Sequence, residues 1–224
     1  MAAITDHSQP DEKTGMSRAE YLRASPPLLP VSALDRFTRV HWSVPVFIFL
    51  PVILLLAGIA FDTMRTWQVV VLIVAGYALW TVTEYWLHRI VFHWAPEEGI
   101  GAKLHFMIHG VHHEHPNDPK RLVMPPSASI PLAALFCLLF WVALGSSWYP
   151  VGAGFLGGYL VYDMTHYAVH HHQGKSRVAK KLRELHMRHH FQDSHSGYGV
   201  SAPYWDNVFG TASKGKKPSD GGEH

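Results

Sequence analysis

Four long apolar stretches constrain this chain more than any other feature. Val44 to Phe61 reads "VPVFIFLPVILLLAGIAF" and holds no charged residue. A second stretch runs from Trp67 to about Tyr85, a third from Ile130 to Leu144, and a fourth from Trp148 to about Tyr162. A spanning helix needs ~20 apolar residues, range ~17–25. The first two meet that length, and the last two do so when their flanks count. The fourth, containing "VGAGFLGGYLVY", is rich in glycine, which lets helices approach closely in lipid. A soluble bundle with buried core helices is the competing arrangement. It fails on surface, because four such stretches in 224 residues leave too little polar chain to cover them.

Connection lengths pair the stretches. Asp62 to Thr66 and Gly145 to Ser147 are tight turns, so the expected fold is all-α, with four transmembrane helices in two hairpins. All other polar sequence then falls on one side. That side holds Arg36, Arg39, Arg89, Lys103, Lys120, Arg121, Lys175, Arg177, Lys180, Lys181, Arg183 and Arg188, against Arg65 alone in the turns. The positive-inside rule makes it cytoplasmic, with both termini there. Residues 1–36 form a polar arm without a signal-peptide core, with partial order expected over "SRAEYLRAS". Residues 37–212 form the membrane domain, and residues 213–224 have the composition of a disordered tail. A net charge of +2 gives no basic footprint for nucleic acid.

Histidine is the second constraint. There are 18 histidines against 19 Lys plus Arg and 17 Asp plus Glu. Cys137 is the only cysteine, so neither a disulfide nor a thiolate cluster is available and any metal must be held by nitrogen and oxygen. Ten of the histidines fall into four groups: His88 and His93; His109, His112 and His113; His166 and His170; and His186, His189 and His190. Each group lies at or beyond a span end on the same membrane face, so all four can converge. On a helix, residues i, i+3 and i+4 share a face, which fits "HGVHH", "HYAVH" and "HMRHH". His88 and His93 are five apart, about 140° around an ideal helix. That pair needs a bulge, an intervening helix end, or ligation to different metals.

Ten imidazoles exceed the needs of one ion, and two metals with four or five ligands each are expected. Imidazole suits zinc, copper, iron and nickel. A closed structural zinc site needs only four ligands. Two nitrogen-held redox metals over the mouth of a lipid-embedded bundle instead suit oxygen activation against a hydrocarbon chain, with iron as the metal. Glu84, Asp163 and Glu184 are candidates to accept the outer N–H of bound histidines, with a role as helix-end charges as the alternative. His171, His172 and His115 are read as packing residues, and His7, His41 and His224 as solvated. His105 is a candidate for packing or support, and His195 for a loop position.

"HFMIHGVHHEHPNDPKRLVMPP", "YDMTHYAVHH" and "HMRHHFQDSHSGYGVSAPYWDNVFGT" resemble the fatty acid 2-hydroxylases of the fatty acid hydroxylase superfamily, which also includes sterol and carotenoid oxidases. The resemblance covers roughly Phe37 to Thr211, and "RLVMPP" and "YDMTHY" are its more specific parts. It implies a four-helix membrane scaffold whose cytosolic helical cap holds a dimetal centre, with the same ten histidines as ligands. It further implies hydroxylation of a long acyl chain, as free acid or sphingolipid N-acyl chain, at the carbon next to the carbonyl. Dioxygen is the co-substrate, and iron is the working metal even where zinc is isolated. Eukaryotic relatives often carry a b-type cytochrome domain with a His-Pro-Gly-Gly motif. This sequence has no such motif, so the expected electron source is a separate ferredoxin- or cytochrome-type carrier. Tyr162, Asp163 and Asn117 are the candidates for the polar end of the substrate. A bacterial inner membrane is the favoured location, or the endoplasmic reticulum in a eukaryote. The rival readings are a sterol or carotenoid hydroxylase or desaturase of the same superfamily, and a metal-transport or metal-binding membrane protein.

Overall fold

Ser17 opens the first helix by closing a reciprocal cap: its hydroxyl accepts from Glu20 N–H, and its own N–H donates to the Glu20 carboxylate at 2.9 Å. The computed structural model describes residues 15–94, 96 and 98–213. His7, His224 and the tail from Lys214 lie outside the described residues. The capped turn is Arg18–Arg23 (α1), and Ser32–Asp35 (α2) follows. Asp35 is buried, accepts from Leu28 and Leu29 N–H at 2.6 and 3.1 Å, and pairs with Arg39.

The charge-free stretch forms Val44–Thr63 (α3), with Pro45 in the first turn, where a missing N–H costs nothing. Thr66–Trp86 (α4) comes next. Two short helices, Gly99–His105 (α5) and Val111–Glu114 (α6), bridge to Pro126–Leu144 (α7) and Trp148–His171 (α8). Arg177–Phe191 (α9), capped by the Ser176 hydroxyl, and Tyr204–Val208 (α10) complete an all-helical chain among the described residues.

Three helical runs are long and apolar enough to cross a membrane: Val44–Thr63, Thr66–Phe92 and Pro126–His171. A straight helix of 46 residues would measure about 69 Å at 1.5 Å per residue, far beyond a ~30 Å hydrocarbon layer. The third run is not straight. It folds back at the Gly145–Ser147 turn, where Gly145 takes φ +54°. The two arms lie antiparallel. Phe136 and Phe140 meet Phe155 near the turn, and at the far end Met124 N–H donates to Asp163.

Helix α8 is the axis of the bundle. It runs antiparallel to α3, where Phe49 meets Tyr159 with ring centres 4.9 Å apart, and parallel to α4, where Trp80 meets Phe155 and Tyr159. Glycine sets the α4–α8 spacing, as the small-residue pattern predicts. A Cβ on Gly154 would stand 2.0 Å from the Ile73 carbonyl oxygen, and one on Gly76 would stand 2.2 Å from that of Val151. Gly154→Ala therefore has to push two helix backbones apart. The expected cost is at least about 2 kcal/mol, read as a lowered thermal midpoint in detergent, whereas Gly157→Ala, in open space, should change little. The outward faces of α3 and α7 expose Phe47, Leu54, Leu55 and Val142, which suits lipid as solvent.

Candidate metal centre

The run that begins with α4 does not stop at Trp86 but widens into a π-helical turn, Leu87–Phe92, closed by His93 N–H to the His88 carbonyl at 3.1 Å. An i to i+5 bond brings residues five apart onto one face. The His88 and His93 Nε2 atoms lie 3.2 Å apart. Of the three solutions this spacing left open, the structure has the widened turn, and both imidazoles serve one cluster. A second π turn, Phe106–Gly110, joins α5 to α6 and places His109.

The ten grouped histidines converge into two sets of five. His88, His93, His109, His113 and His189 form the first; His112, His166, His170, His186 and His190 form the second. Within each set the ligating atoms all lie within 4.8 Å of one another, a geometry that could hold one metal ion. The sets abut, with the His113 and His190 rings stacked at 4.3 Å. Each H-x-x-H-H motif is divided between them. His109 and His113 join the first set while His112 joins the second; His186 and His190 join the second while His189 joins the first. On a helix, i and i+4 differ by about 40°, whereas i+3 and i+4 differ by about 100°. A helix wedged between the two sets therefore turns two rings to one side and the third to the other.

The nitrogen atoms are spaced as ligands of a common ion. Nε2 separations are 3.0 Å for His109–His113 and His93–His189, 2.9 Å for His112–His166 and His170–His186, and 3.1 Å for His186–His190. Two imidazoles bound at ~2.1 Å and a right angle would place their nitrogens about 3.0 Å apart. The opposite edges of three rings are anchored. Nδ1–H of His88 donates to the Tyr198 carbonyl at 2.6 Å, that of His166 to Leu122 at 3.0 Å, and that of His189 to Ser196 at 2.7 Å. Such bonds fix the tautomer that leaves Nε2 free to ligate.

Burial, and then the neighbouring imidazoles, hold the rings outside the spans neutral. His93 is pushed down to about 3 and His113 to about 2, while His109, His112, His186 and His190 lie well below the ordinary range. Metal ligation needs neutral imidazole, so this suits the role. The sign for stability follows. A depressed histidine pKa means that the unfolded chain binds more protons below pH ~6.5, so stability rises with pH through the window beneath that value. Metal-free protein is expected to lose thermal stability steadily from about pH 6.5 downward, measured by melting in detergent at stepped pH.

The three carboxylates expected to steady the histidines do something else. Glu84 accepts from the backbone N–H of Val200 and Ser201, each at 2.8 Å, and from the Ser201 hydroxyl. Asp163 accepts from the Tyr159 hydroxyl at 2.9 Å and from Met124 N–H. Glu184 is exposed and pairs with Lys181 and Arg188. None touches an imidazole, and at His88, His166 and His189 a backbone carbonyl takes that position. Asp206, which no spacing to a histidine marks, organises the loop that provides the Tyr198 carbonyl. It accepts from Tyr198 and Gly199 N–H at 2.8 and 2.9 Å and from the Thr211 hydroxyl at 2.8 Å. Asp206 lies in the first turn of α10 with glycines just upstream, a turn signal that a closer reading of "SGYGVSAPYWDN" could have used.

Tyr162 is buried and lies parallel to the His166 ring, with centres 5.9 Å apart, so it sits beside the second set. Asp163 is one residue further and fully buried. Asn117 lies under the N-terminal segment, its N–H donating to the Leu22 carbonyl at 2.9 Å. His115 is a packing residue, as expected, bonded to the Tyr21 carbonyl and tilted against its ring with centres 4.8 Å apart. His41 and His195 are exposed, and His105, His171 and His172 fall outside both sets.

An apolar bundle, all-helical among the described residues, that gathers ten imidazoles into two ion-sized sets has the form of a membrane-type chain able to hold metal. The fatty acid hydroxylase family model matches residues 73–211. The chain belongs to that family. A dihydroceramide fatty acyl 2-hydroxylase of Arabidopsis thaliana is 41% identical over 174 residues, 77% of this chain and 73% of the relative. A ceramide very long chain fatty acid hydroxylase of Saccharomyces cerevisiae is 38% identical over 195 residues, 85% of this chain but only 50% of the relative's length. A solved structure of full-length scs7p, in which only the hydroxylase domain is visible, superposes with a TM-score of 0.78 at 38% identity, covering 83% of this chain and 71% of that one.

Proposed function

We propose that this chain is a membrane-bound dimetal oxygenase that hydroxylates a long acyl chain at the carbon next to the carbonyl. The observation that carries the reading is the pair of five-imidazole sets, side by side at the end of an apolar bundle. The relatives' names support the substrate class, a fatty acid or the N-acyl chain of a ceramide. His88, His93, His109, His113 and His189 would hold one ion, and His112, His166, His170, His186 and His190 the other. Iron is the metal expected in the working enzyme, with zinc able to occupy the same nitrogen sites during isolation. When bound, the pair supplies redox chemistry that activates dioxygen, one oxygen atom entering the C–H bond and the other leaving as water with external electrons.

The chain's own residues have three tasks. They hold ten imidazoles aimed inward, they bury the reacting region away from bulk water, and they guide a hydrocarbon chain to it. Tyr162, beside His166, and Asp163, bonded to Tyr159, stand where a polar acyl head would approach the second set. Asn117 would act only if the head group reaches toward α1. In the membrane, α3, α4, α7 and α8 act as four crossings in two hairpins, with the histidine end and both termini cytoplasmic. The basic residues gathered at that end support the orientation. Residues 37–212 serve as the catalytic membrane domain. A separate ferredoxin- or cytochrome-type protein delivers the electrons, and a bacterial inner membrane is the favoured setting.

A metal-transport role would place ligands near the bilayer midplane, whereas these imidazoles gather at helix ends and beyond. Mass spectrometry of lipids from an expressing host, set against an empty-vector host, tests the assignment. New 2-hydroxy acyl lipids are the expected result. Their absence, with the protein present and metal-loaded, would overturn it, and a hydroxylated sterol or carotenoid instead would move the chain to the other branch of chemistry.

A further inference from the structure

Exposed apolar side chains continue from the end of the run Thr66–Phe92 onto α5. Ile90 is 58% exposed, Trp94 60%, Ile100 78%, Leu104 47% and Ile108 53%. From Gly99 to Glu114 the chain is helical throughout, passing from α5 through the π turn into α6. Its inward face carries His109 and His112, both buried in the metal centre. Its outward face carries Ile100, Leu104 and Ile108 at four-residue spacing. A helix on an aqueous surface does the reverse, turning its apolar stripe to the core and its polar face to solvent. An inward face made of ligands and an outward face made of isoleucine and leucine call for an apolar solvent.

That solvent is identified by continuity. Ile90 and Val91 lie at the end of the apolar run Thr66–Phe92, and their exposed side chains extend its lipid-facing surface toward α5. The boundary residues match a headgroup level. Arg89 lies over the Tyr85 and Trp86 rings, Trp94 is exposed, and Lys103 sits among the apolar positions of α5. Aromatic rings and basic side chains collect at that depth. We propose that residues 90–94 and 98–108 lie in the plane of the membrane, with Trp94, Ile100, Leu104 and Ile108 immersed at the boundary between headgroups and acyl chains, so that lipid rather than water covers this side of the metal centre. The placement stands whatever reaction the centre performs.

Site-directed nitroxides test it in the full chain, reconstituted into phosphatidylcholine–phosphatidylglycerol vesicles with Cys137→Ala as background. Labels at Ile100→Cys, Leu104→Cys and Ile108→Cys should lose collision with a water-soluble nickel relaxant and gain collision with oxygen, relative to a label at the exposed Lys180. Equal nickel access at all four positions would overturn the proposal. Dipolar broadening between copies, which would assign the face to a protein partner, would overturn it too. Because a label can disturb a short helix, Trp94 provides a second measurement. Phosphatidylcholine brominated near the glycerol end of its chains should quench wild-type fluorescence more than that of Trp94→Phe, and identical quenching of the two counts against immersion.

Discussion

Alanine in place of His112 or His189 is expected to abolish hydroxylated lipid, with a fall of at least about a hundredfold, the upper end of what even a ligand's hydrogen-bonding partner costs. Each of these residues is the member of its H-x-x-H-H motif that crosses to the opposite set. Removing His112 takes a ligand from the set built by α8 and α9, although its two helical neighbours serve the other one. Metal content measured by plasma mass spectrometry should fall from two ions per chain, and the partition makes a sharper demand. His112→Ala should be matched by His166→Ala, since their Nε2 atoms lie 2.9 Å apart, and His189→Ala by His93→Ala, at 3.0 Å. If the variants group instead by motif, with His109, His112 and His113 behaving alike, the five-and-five division is wrong. His195→Ala, at an exposed position outside both sets, should keep full metal and full yield.

Glu84→Ala should be the most damaging change to a residue that touches no imidazole. Its carboxylate takes two backbone N–H groups and the Ser201 hydroxyl, all at the end of an apolar helix where water cannot replace it. Hydrogen bonds to a charged group contribute about 1.5–3 kcal/mol, and the stranded donors add their own desolvation cost, so a loss of about 3 kcal/mol or more is expected. The effect should reach the metal centre through the chain. Val200 and Ser201 lie just past Gly199, which follows Tyr198, whose carbonyl holds His88, so a loosened segment frees that ring to turn. Thermal melting in detergent and metal retention should fall together, with Glu84→Gln between wild type and alanine because it keeps an acceptor but loses the charge. A Glu84→Ala protein that melts normally and retains both metals would show that the C-terminal segment is held by its other contacts, those of Asp206, Thr211 and Trp205 among them.

The two sites differ in how much of them the sequence shows. The apolar runs, the glycine-rich packing of α8, the turn at Gly145 and the ten ligating candidates all depend on local composition and spacing, which a sequence displays directly. The division of each H-x-x-H-H motif does not, because His109, His112 and His113 look equivalent until a second helix supplies rings on both sides. The His88–His93 pair was ambiguous for a related reason: ideal helical angles placed the two about 140° apart, and only the π turn resolved it. Glu84 and Asp163 lie close to histidines in sequence but contact none of them. Glu84 is four residues from His88 but points to Val200 and Ser201, more than a hundred positions away.

By itself, then, the sequence determined the helical class, the apolar bundle and the identity of the imidazoles, since each follows from which residue types recur at which interval. Only the tertiary structure decided which imidazoles share an ion, which backbone carbonyls hold them, and that the outward face of α5 is apolar. Those outcomes depend on side chains brought together from distant parts of the chain, where packing and hydrogen-bond geometry, not spacing, select the partner.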